Sequence, residues 1–110
     1  MIDLETLVLQ ITAFNHAWKF SKERWPDKSY LVNSLRDRKS CLQVRLLREF
    51  PTTTYLHLDL ENDEGEPLFS VRLNKPIKLS NGFERRDAEH MPVRLAEDFF
   101  AEDELLRMVK

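Results

Sequence analysis

Residues 55–61 read YLHLDLE and residues 69–74 read FSVRLN, on either side of a short acidic segment that contains Gly65. Apolar and polar residues alternate strictly in both segments, a pattern typical of β-strands with one buried and one solvent-facing side. A loop at residues 63–66 pairs residues whose numbers sum to 129. Three apolar pairs then form on one face of this hairpin: Leu56 with Leu73, Leu58 with Val71, and Leu60 with Phe69.

The segment Cys41–Glu49 is predicted to be a strand that precedes this hairpin. Its even-numbered apolar residues, Leu42, Val44 and Leu46, alternate with Gln43 and Arg45 in the same way. If the residue numbers of paired positions sum to 102, these three residues lie opposite Leu60, Leu58 and Leu56, respectively. The three strands together are expected to form one continuous apolar face.

A long helix is predicted from Asp3 to Arg24. Asp3 is a favourable N-cap residue, and Pro26 disfavours helical conformation in the residue before it. At about 100° per residue, one stripe of this helix is apolar. It consists of Leu4, Leu7, Val8, Ile11, Phe14 and Trp18. Residues 29–36 fit either a short helix capped by Ser29 or a strand.

The C-terminal third has a weaker pattern. Asn81-Gly82 predicts a tight turn, and Pro76 limits residues 77–79 to a strand after a kink or at an edge. Phe83 and residues 93–95 are candidates for a fourth strand, and residues 101–109 for a helix. The expected architecture is α+β in a single domain, residues 1–110: a long N-terminal helix on an antiparallel meander of three to five strands, closed by a C-terminal helix.

Composition excludes several classes of protein. The chain has 110 residues, 42% of them hydrophobic and 33% charged, which is typical of a folded domain. The single cysteine, Cys41, excludes an intramolecular disulfide and a multi-cysteine zinc site. The longest apolar run is far below the roughly 20 residues of a membrane span. These features predict a cytoplasmic protein without membrane contact.

Charge is distributed in blocks along the chain. Residues 19–49 contain nine Lys or Arg and four acids, whereas residues 50–70 contain five acids and no Lys or Arg. The fold either brings opposite blocks together or leaves a polarised surface that attracts a charged partner. Nucleic acid is disfavoured as a partner, because the net charge is −2 and aromatic residues do not alternate with the basic ones.

The predicted register assigns the polar face of the sheet a candidate binding site. Arg45, His57 and Arg72 form a cross-strand row, with Tyr55 and Asp59 beside it. Two arginines that flank a histidine indicate an anion or an acidic partner, since guanidinium groups form charge-assisted hydrogen bonds with phosphate and carboxylate. The alternative is a solvated sheet face with local ion pairs. Metal binding is not predicted, because His57, Asp59 and Glu61 are spread about 7 Å apart along a strand.

A second, weaker apolar stripe lies on the opposite side of the N-terminal helix. It consists of Leu9, Ala13, His16 and Phe20. Either another element of the same domain covers this stripe, or it is a contact surface for a partner or for a second copy of the chain.

No enzymatic motif is present: the chain lacks a Gly-x-Ser-x-Gly elbow, a P-loop, a Gly-x-Gly-x-x-Gly turn and a His-Glu-x-x-His helix. His57 and Asp59 are the first acid–base couple to consider, and His90 is expected in a loop. We predict no catalytic residues and no cofactor. The leading hypothesis is a non-catalytic binding protein, an adaptor, inhibitor or regulatory subunit, that recognises another protein through the arginine-rich sheet face and the second helix stripe. The alternative is a ligand-binding or enzymatic domain with a pocket in a curled sheet.

Overall fold

A computed structural model describes residues 2–25 and 29–110. The fold is α+β, with helices at both ends of the chain and a three-stranded antiparallel sheet in the order β1-β2-β3. The elements are α1 (Leu4–Arg24), α2 (Tyr30–Glu49), β1 (Thr54–Asp59), β2 (Leu68–Lys78), β3 (Glu84–Pro92), α3 (Val93–Phe99) and α4 (Glu102–Met108).

Helix α1 begins and ends where the sequence predicts. The Asp3 carboxylate accepts a hydrogen bond from the Thr6 N–H at 2.8 Å, which satisfies one free amide of the first turn. The last helical residue is Arg24, followed by Trp25 in extended conformation. Leu7, Val8 and Ile11 of the predicted stripe are fully buried. The apolar stripe therefore seats α1 on the core, as expected.

Helix α2 corrects the prediction for residues 41–49. Residues 29–36 open this helix, and Cys41–Glu49 continues it instead of forming a strand. Leu42 and Leu46 are four residues apart, so the same residues that alternate along a strand also share one face of a helix. Gln43 and Leu47, also four apart, extend this buried face. A strand with Leu42, Val44 and Leu46 on its buried face would place Leu47 on the solvent side, whereas Leu47 is only 1% exposed.

The hairpin of β1 and β2 forms in a different register from the predicted one. Leu56 faces Val71 and Leu58 faces Phe69, so paired numbers sum to 127 rather than 129. A shift of two residues keeps every side chain on its predicted face, which is why alternation alone does not separate the two registers. The connecting loop is longer, and Leu60 in it is 69% exposed instead of contributing to the core.

The second hairpin, of β2 and β3, turns at Asn81-Gly82, as predicted, with Gly82 at φ +90°. β2 continues past Pro76 to Lys78, across an irregularity in the register between Arg72 and Ile77. The predicted fourth strand at residues 93–95 is wrong, because Val93 begins α3.

The C-terminal helix is confirmed as α4. After it, Val109 forms an isolated parallel bridge to Leu56 at the edge of β1. Leu105 of α4 packs against the core, whereas Leu106 is 74% exposed.

The core lies between the two long helices and one face of the sheet. It consists of Leu7, Val8, Ile11, Leu42, Val44, Leu46, Leu47, Leu56, Phe69, Val71, Leu73, Ala88, Met91, Ala96 and Phe100. Residues that alternate with these along the strands point to the other side of the sheet, which we call the outer face.

Candidate functional site

Two concave regions share Asp59 and His90, near the end of the sheet where β1 ends, β2 begins and β3 ends. The outer depression, of about 480 Å³, lies on the outer face and is lined by Tyr55, Asp59, Ser70, Arg72, Leu73, Asn74, Pro76, Arg86, Asp87 and His90. The recess, of about 310 Å³, lies between helices α1 and α2 and the β1–β2 loop. It is lined by Asn15, Trp18, Lys19, Arg36, Lys39, Asp59, Glu61, Asn62, Asp63, Glu64, Glu66, Leu68, Glu89, His90, Pro92 and Arg94.

The predicted row of Arg45, His57 and Arg72 is not formed. Arg45 belongs to α2, where it pairs with Glu49 at 3.2 Å. The two-residue shift in register places His57 opposite Ser70 and Tyr55 opposite Arg72. Because β3 pairs with the other edge of β2, the observed rows on the outer face are His57-Ser70-His90 and Tyr55-Arg72-Asp87.

Within the outer depression, the acidic side chains have ion-pair partners, whereas the two arginines have none among the described residues. Asp87 accepts hydrogen bonds from the Arg85 guanidinium at 2.8 Å and from the Glu89 N–H at 3.1 Å. Among the described residues, Arg72 donates to the Ser70 hydroxyl alone, at 3.3 Å. In the described part of the chain, neither Arg72 nor Arg86 is paired with a carboxylate within 4.0 Å.

The acid–base couple at this end of the sheet is Asp59 with His90, not Asp59 with His57. His90 Nε2 lies 3.1 Å from Asp59 Oδ2, and both residues line both concave regions. His57 instead places Nδ1 3.1 Å from the main-chain oxygen of Lys110. His90 lies in β3 rather than in a loop, so this pairing depends on strands that are 31 residues apart in sequence.

A β-bulge in β3 directs neighbouring residues to different regions. The register shifts between the pairs Ser70–His90 and Arg72–Asp87, and Glu89 adopts φ +67°, a conformation uncommon for residues with a side chain. The fully buried Gln43 amide donates to the main-chain oxygens of Ala88 at 2.9 Å and His90 at 3.1 Å. Gln43 thus holds the bulge that places Glu89 in the recess and Asp87 in the outer depression.

The helical wall of the recess contains a buried lysine. Lys39 is only 4% exposed, and its ammonium group donates to the Asn15 side-chain oxygen at 3.0 Å. Its Nζ also lies 4.7 Å from the centroid of the Trp18 ring, within the range of a cation–π contact. Burial lowers the pKa of Lys39 to about 8, against the opposing influence of Glu89 and Glu64.

Arg36, one turn before Lys39 on α2, adds a second donor to this wall. Its Nε is buried and has no hydrogen-bond acceptor among the described residues. A buried N–H without a partner costs free energy of about 1–3 kcal/mol. The helical wall therefore offers donor groups whose acceptors the described chain does not supply.

The opposite wall is the acidic β1–β2 loop. Asn62 organises it by donating to the main-chain oxygens of Asp59 and Glu66 and by accepting from the Glu64 N–H. Salt bridges connect Glu64 to Lys22 of α1 at 3.2 Å and Glu66 to Arg94 of α3 at 3.0 Å. Basic and acidic charge blocks of the sequence thus meet across the recess.

The recess was not predicted, although its helical wall has a sequence signal. Lys39 lies four residues before Gln43 and seven before Leu46, on the buried face of α2. A helical reading of residues 30–49 places this lysine in line with apolar residues. Its partners on α1 follow only from the packing of the two helices.

The second stripe of α1 is exposed. Leu9 is 37% exposed and Phe20 is 55% exposed, and Ala13 and His16 are exposed as well. The Arg24 guanidinium packs over the Phe20 ring, 4.2 Å from its centroid. No described element of the chain covers this stripe.

Within residues 2–25 and 29–110, no group of three or more His, Cys, Asp or Glu side chains is placed to hold a metal ion. The helices described here are all too short or too polar to span a bilayer. The chain matches no protein-family model, no curated protein and no solved structure.

Proposed function

We propose that this chain is a non-catalytic binding protein that recognises an acidic group of a protein partner in the outer depression. The observation that carries the proposal is which charged groups of the outer depression have ion-pair partners. Arg72 and Arg86 lack a carboxylate partner in the described chain, whereas Asp59 and Asp87 are already bonded to His90 and Arg85. An incoming carboxylate therefore meets two guanidinium groups that have no carboxylate partner among the described residues, and it does not have to displace an internal acid.

Several neighbouring groups support this assignment. Tyr55 and Asn74 line the same depression and supply further hydrogen-bonding groups, and Tyr55 adds an aromatic surface. The predicted contribution of Arg45 is dropped, because that residue lies on α2.

The exposed stripe of α1 is a second contact surface in this proposal. Its four residues extend over about 16 Å of helix, from Leu9 to Phe20. An exposed apolar stripe with a large aromatic residue at one end fits the apolar part of a protein interface.

The test begins with capture of the tagged protein's stoichiometric partner from its own cells, followed by titration of the purified pair at two salt concentrations. We expect the double variant Arg72→Gln/Arg86→Gln to weaken binding by about tenfold or more and to reduce its salt dependence. The matched control, Arg38→Gln/Lys78→Gln, removes the same charge from exposed positions elsewhere and should bind like the unmodified protein.

A third variant, Phe20→Ala, removes apolar area without adding a charge and so tests the helix stripe separately. It should weaken binding without changing the salt dependence contributed by the arginines. If the arginine variant and its control bind equally well, recognition of an acidic group in the outer depression is wrong.

A further inference from the structure

The charges that line the recess divide into paired and unpaired groups. Four acids have partners: Asp59 with His90, Glu64 with Lys22, Glu66 with Arg94, and Glu89 with Arg85. The remaining charged groups lack an ion-pair partner among the described residues. These are Lys19, Arg36 and Lys39 on the helices, and Glu61 and Asp63 on the loop.

The unpaired cations and the unpaired acids lie on different walls of the recess. The three cations belong to α1 and α2, and the two acids belong to the β1–β2 loop across the recess. The cationic wall also has unused donors, because Lys39 has three N–H groups with one acceptor, Asn15, and the Arg36 Nε has none in the described chain.

The size and surface of the recess fit a small molecule. Its volume of about 310 Å³ lies at the lower end of the range of small-molecule sites. Trp18 contributes an aromatic surface beside the Lys39 ammonium group, so a ligand would meet both charge and apolar area. The loop wall is held by Asn62 and by two salt bridges, so the site exists before a ligand enters.

We infer that the recess binds a small zwitterion, with its carboxylate on Lys39 and Arg36 and its ammonium group toward Glu61 and Asp63. Free α-amino acids are the simplest class with this chemistry. A polyanion such as nucleic acid or a polyphosphate would be repelled by the loop carboxylates. A simple amine would leave the buried N–H donors without an acceptor. The inference is independent of the outer depression and of its proposed partner.

The test is an NMR titration of the ¹⁵N-labelled full chain with each standard L-amino acid. The best binder is then compared with its N-acetyl derivative, which lacks the ammonium group, and with its decarboxylated amine. We expect shifts of the Trp18 indole and of the Asn15 and Asn62 side-chain amide signals. Both modified compounds should bind about tenfold or more weakly than the amino acid.

Two variants test which residues bind the carboxylate and the ammonium group of the amino acid. Lys39→Met, which replaces the buried charge by an apolar side chain of similar length, should weaken amino-acid binding by about tenfold or more. Glu61→Gln/Asp63→Asn changes only exposed loop residues. It should weaken binding of the amino acid but not binding of its N-acetyl derivative. Lys78→Met, at an exposed position of β2, is the control for a lost lysine charge.

Several results would overturn the inference. One is the absence of binding by any amino acid at millimolar concentration. Another is equal affinity of the amino acid and either modified compound. Unchanged affinity of a folded Lys39→Met variant, with folding checked by its NMR spectrum, would overturn the placement of the carboxylate.

Discussion

The outer depression and the recess share Asp59 and His90, yet they hold positive charge in opposite ways. Arg86 is exposed and Arg72 is only partly buried, so water solvates much of their charge. Lys39 is only 4% exposed, and its ammonium group contacts the Asn15 amide and the Trp18 ring instead of a carboxylate. All three groups are cations, but burial of the Lys39 charge costs the folded state more desolvation free energy than the arginine charges do.

This difference separates two ways to use a cation. An exposed arginine attracts and orients an acidic surface at little cost to stability, because water competes for it throughout. A buried ammonium group destabilises the folded protein until it loses its proton or gains a negatively charged partner. The comparison is therefore testable on stability as well as on binding.

The largest expected effect is the response of stability to pH. The pKa of Lys39 is lowered from 10.5 to about 8 by burial, so between these values the unfolded chain holds more protons than the native one. The free energy of unfolding should therefore rise with pH across this window, by about 3 kcal/mol in total from this residue. Urea denaturation from about pH 7.5 to pH 10.5 measures this rise in the free energy of unfolding. The variants Lys39→Met and Arg72→Met are measured in parallel.

The variants assign the pH effect to one region. Lys39→Met should lose this part of the rise, whereas Arg72→Met should keep it, because an arginine stays protonated throughout. If the unmodified protein and Lys39→Met have parallel stability profiles, the ammonium group of Lys39 is solvated and the contrast between the regions fails.

The next effect comes from Gln43, which supports both regions through the bulge in β3. Gln43→Leu leaves the main-chain oxygens of Ala88 and His90 without this donor and should cost about 2 kcal/mol of unfolding free energy. Gln10→Leu, at a half-buried position of α1, is the matched control and should change stability far less. Equal losses in the two variants, measured by urea denaturation, would mean that Gln43 does not hold the bulge.

The smallest expected effect concerns the rim of the recess. Lys22 and Glu64 are each about one-third exposed in their side chains, so their salt bridge should contribute about 0.5 kcal/mol or less. A double-mutant cycle of Lys22→Met and Glu64→Gln measures this coupling energy at low and high salt. A coupling well above 1 kcal/mol would show that the rim is more shielded from water than its exposure indicates.

Sequence reasoning succeeded where a few neighbouring residues decide the structure. Asp3 marks the start of α1, its apolar stripe identifies the core face, and Asn81-Gly82 marks the second turn. It failed in α2, because Leu42, Val44 and Leu46 fit a strand pattern over a short window. Only the inclusion of Lys39, Gln43 and Leu47 over a longer window indicates the helical period.

The candidate sites were harder to predict from the sequence than the fold was. Tyr55, His57, Asp59 and Arg72 were predicted in β1 and β2, and they lie there. Their neighbours were not predictable, because a register shift of two residues changes every cross-strand partner and leaves the alternation unchanged. The Asp59–His90 couple further requires β3, which has little apolar alternation of its own.

The sequence by itself determined the long first helix, the faces of the β1–β2 hairpin, the second turn and the C-terminal helix. Each of these depends on local periodicity, capping or turn chemistry, with interactions over a few residues. The tertiary structure decided the helical state of residues 41–49, the register, the bulge at Glu89 and the burial of Lys39 against Asn15 and Trp18. These features depend on packing between distant segments, where the free energy of burial and of long-range hydrogen bonds selects among states that are locally equivalent.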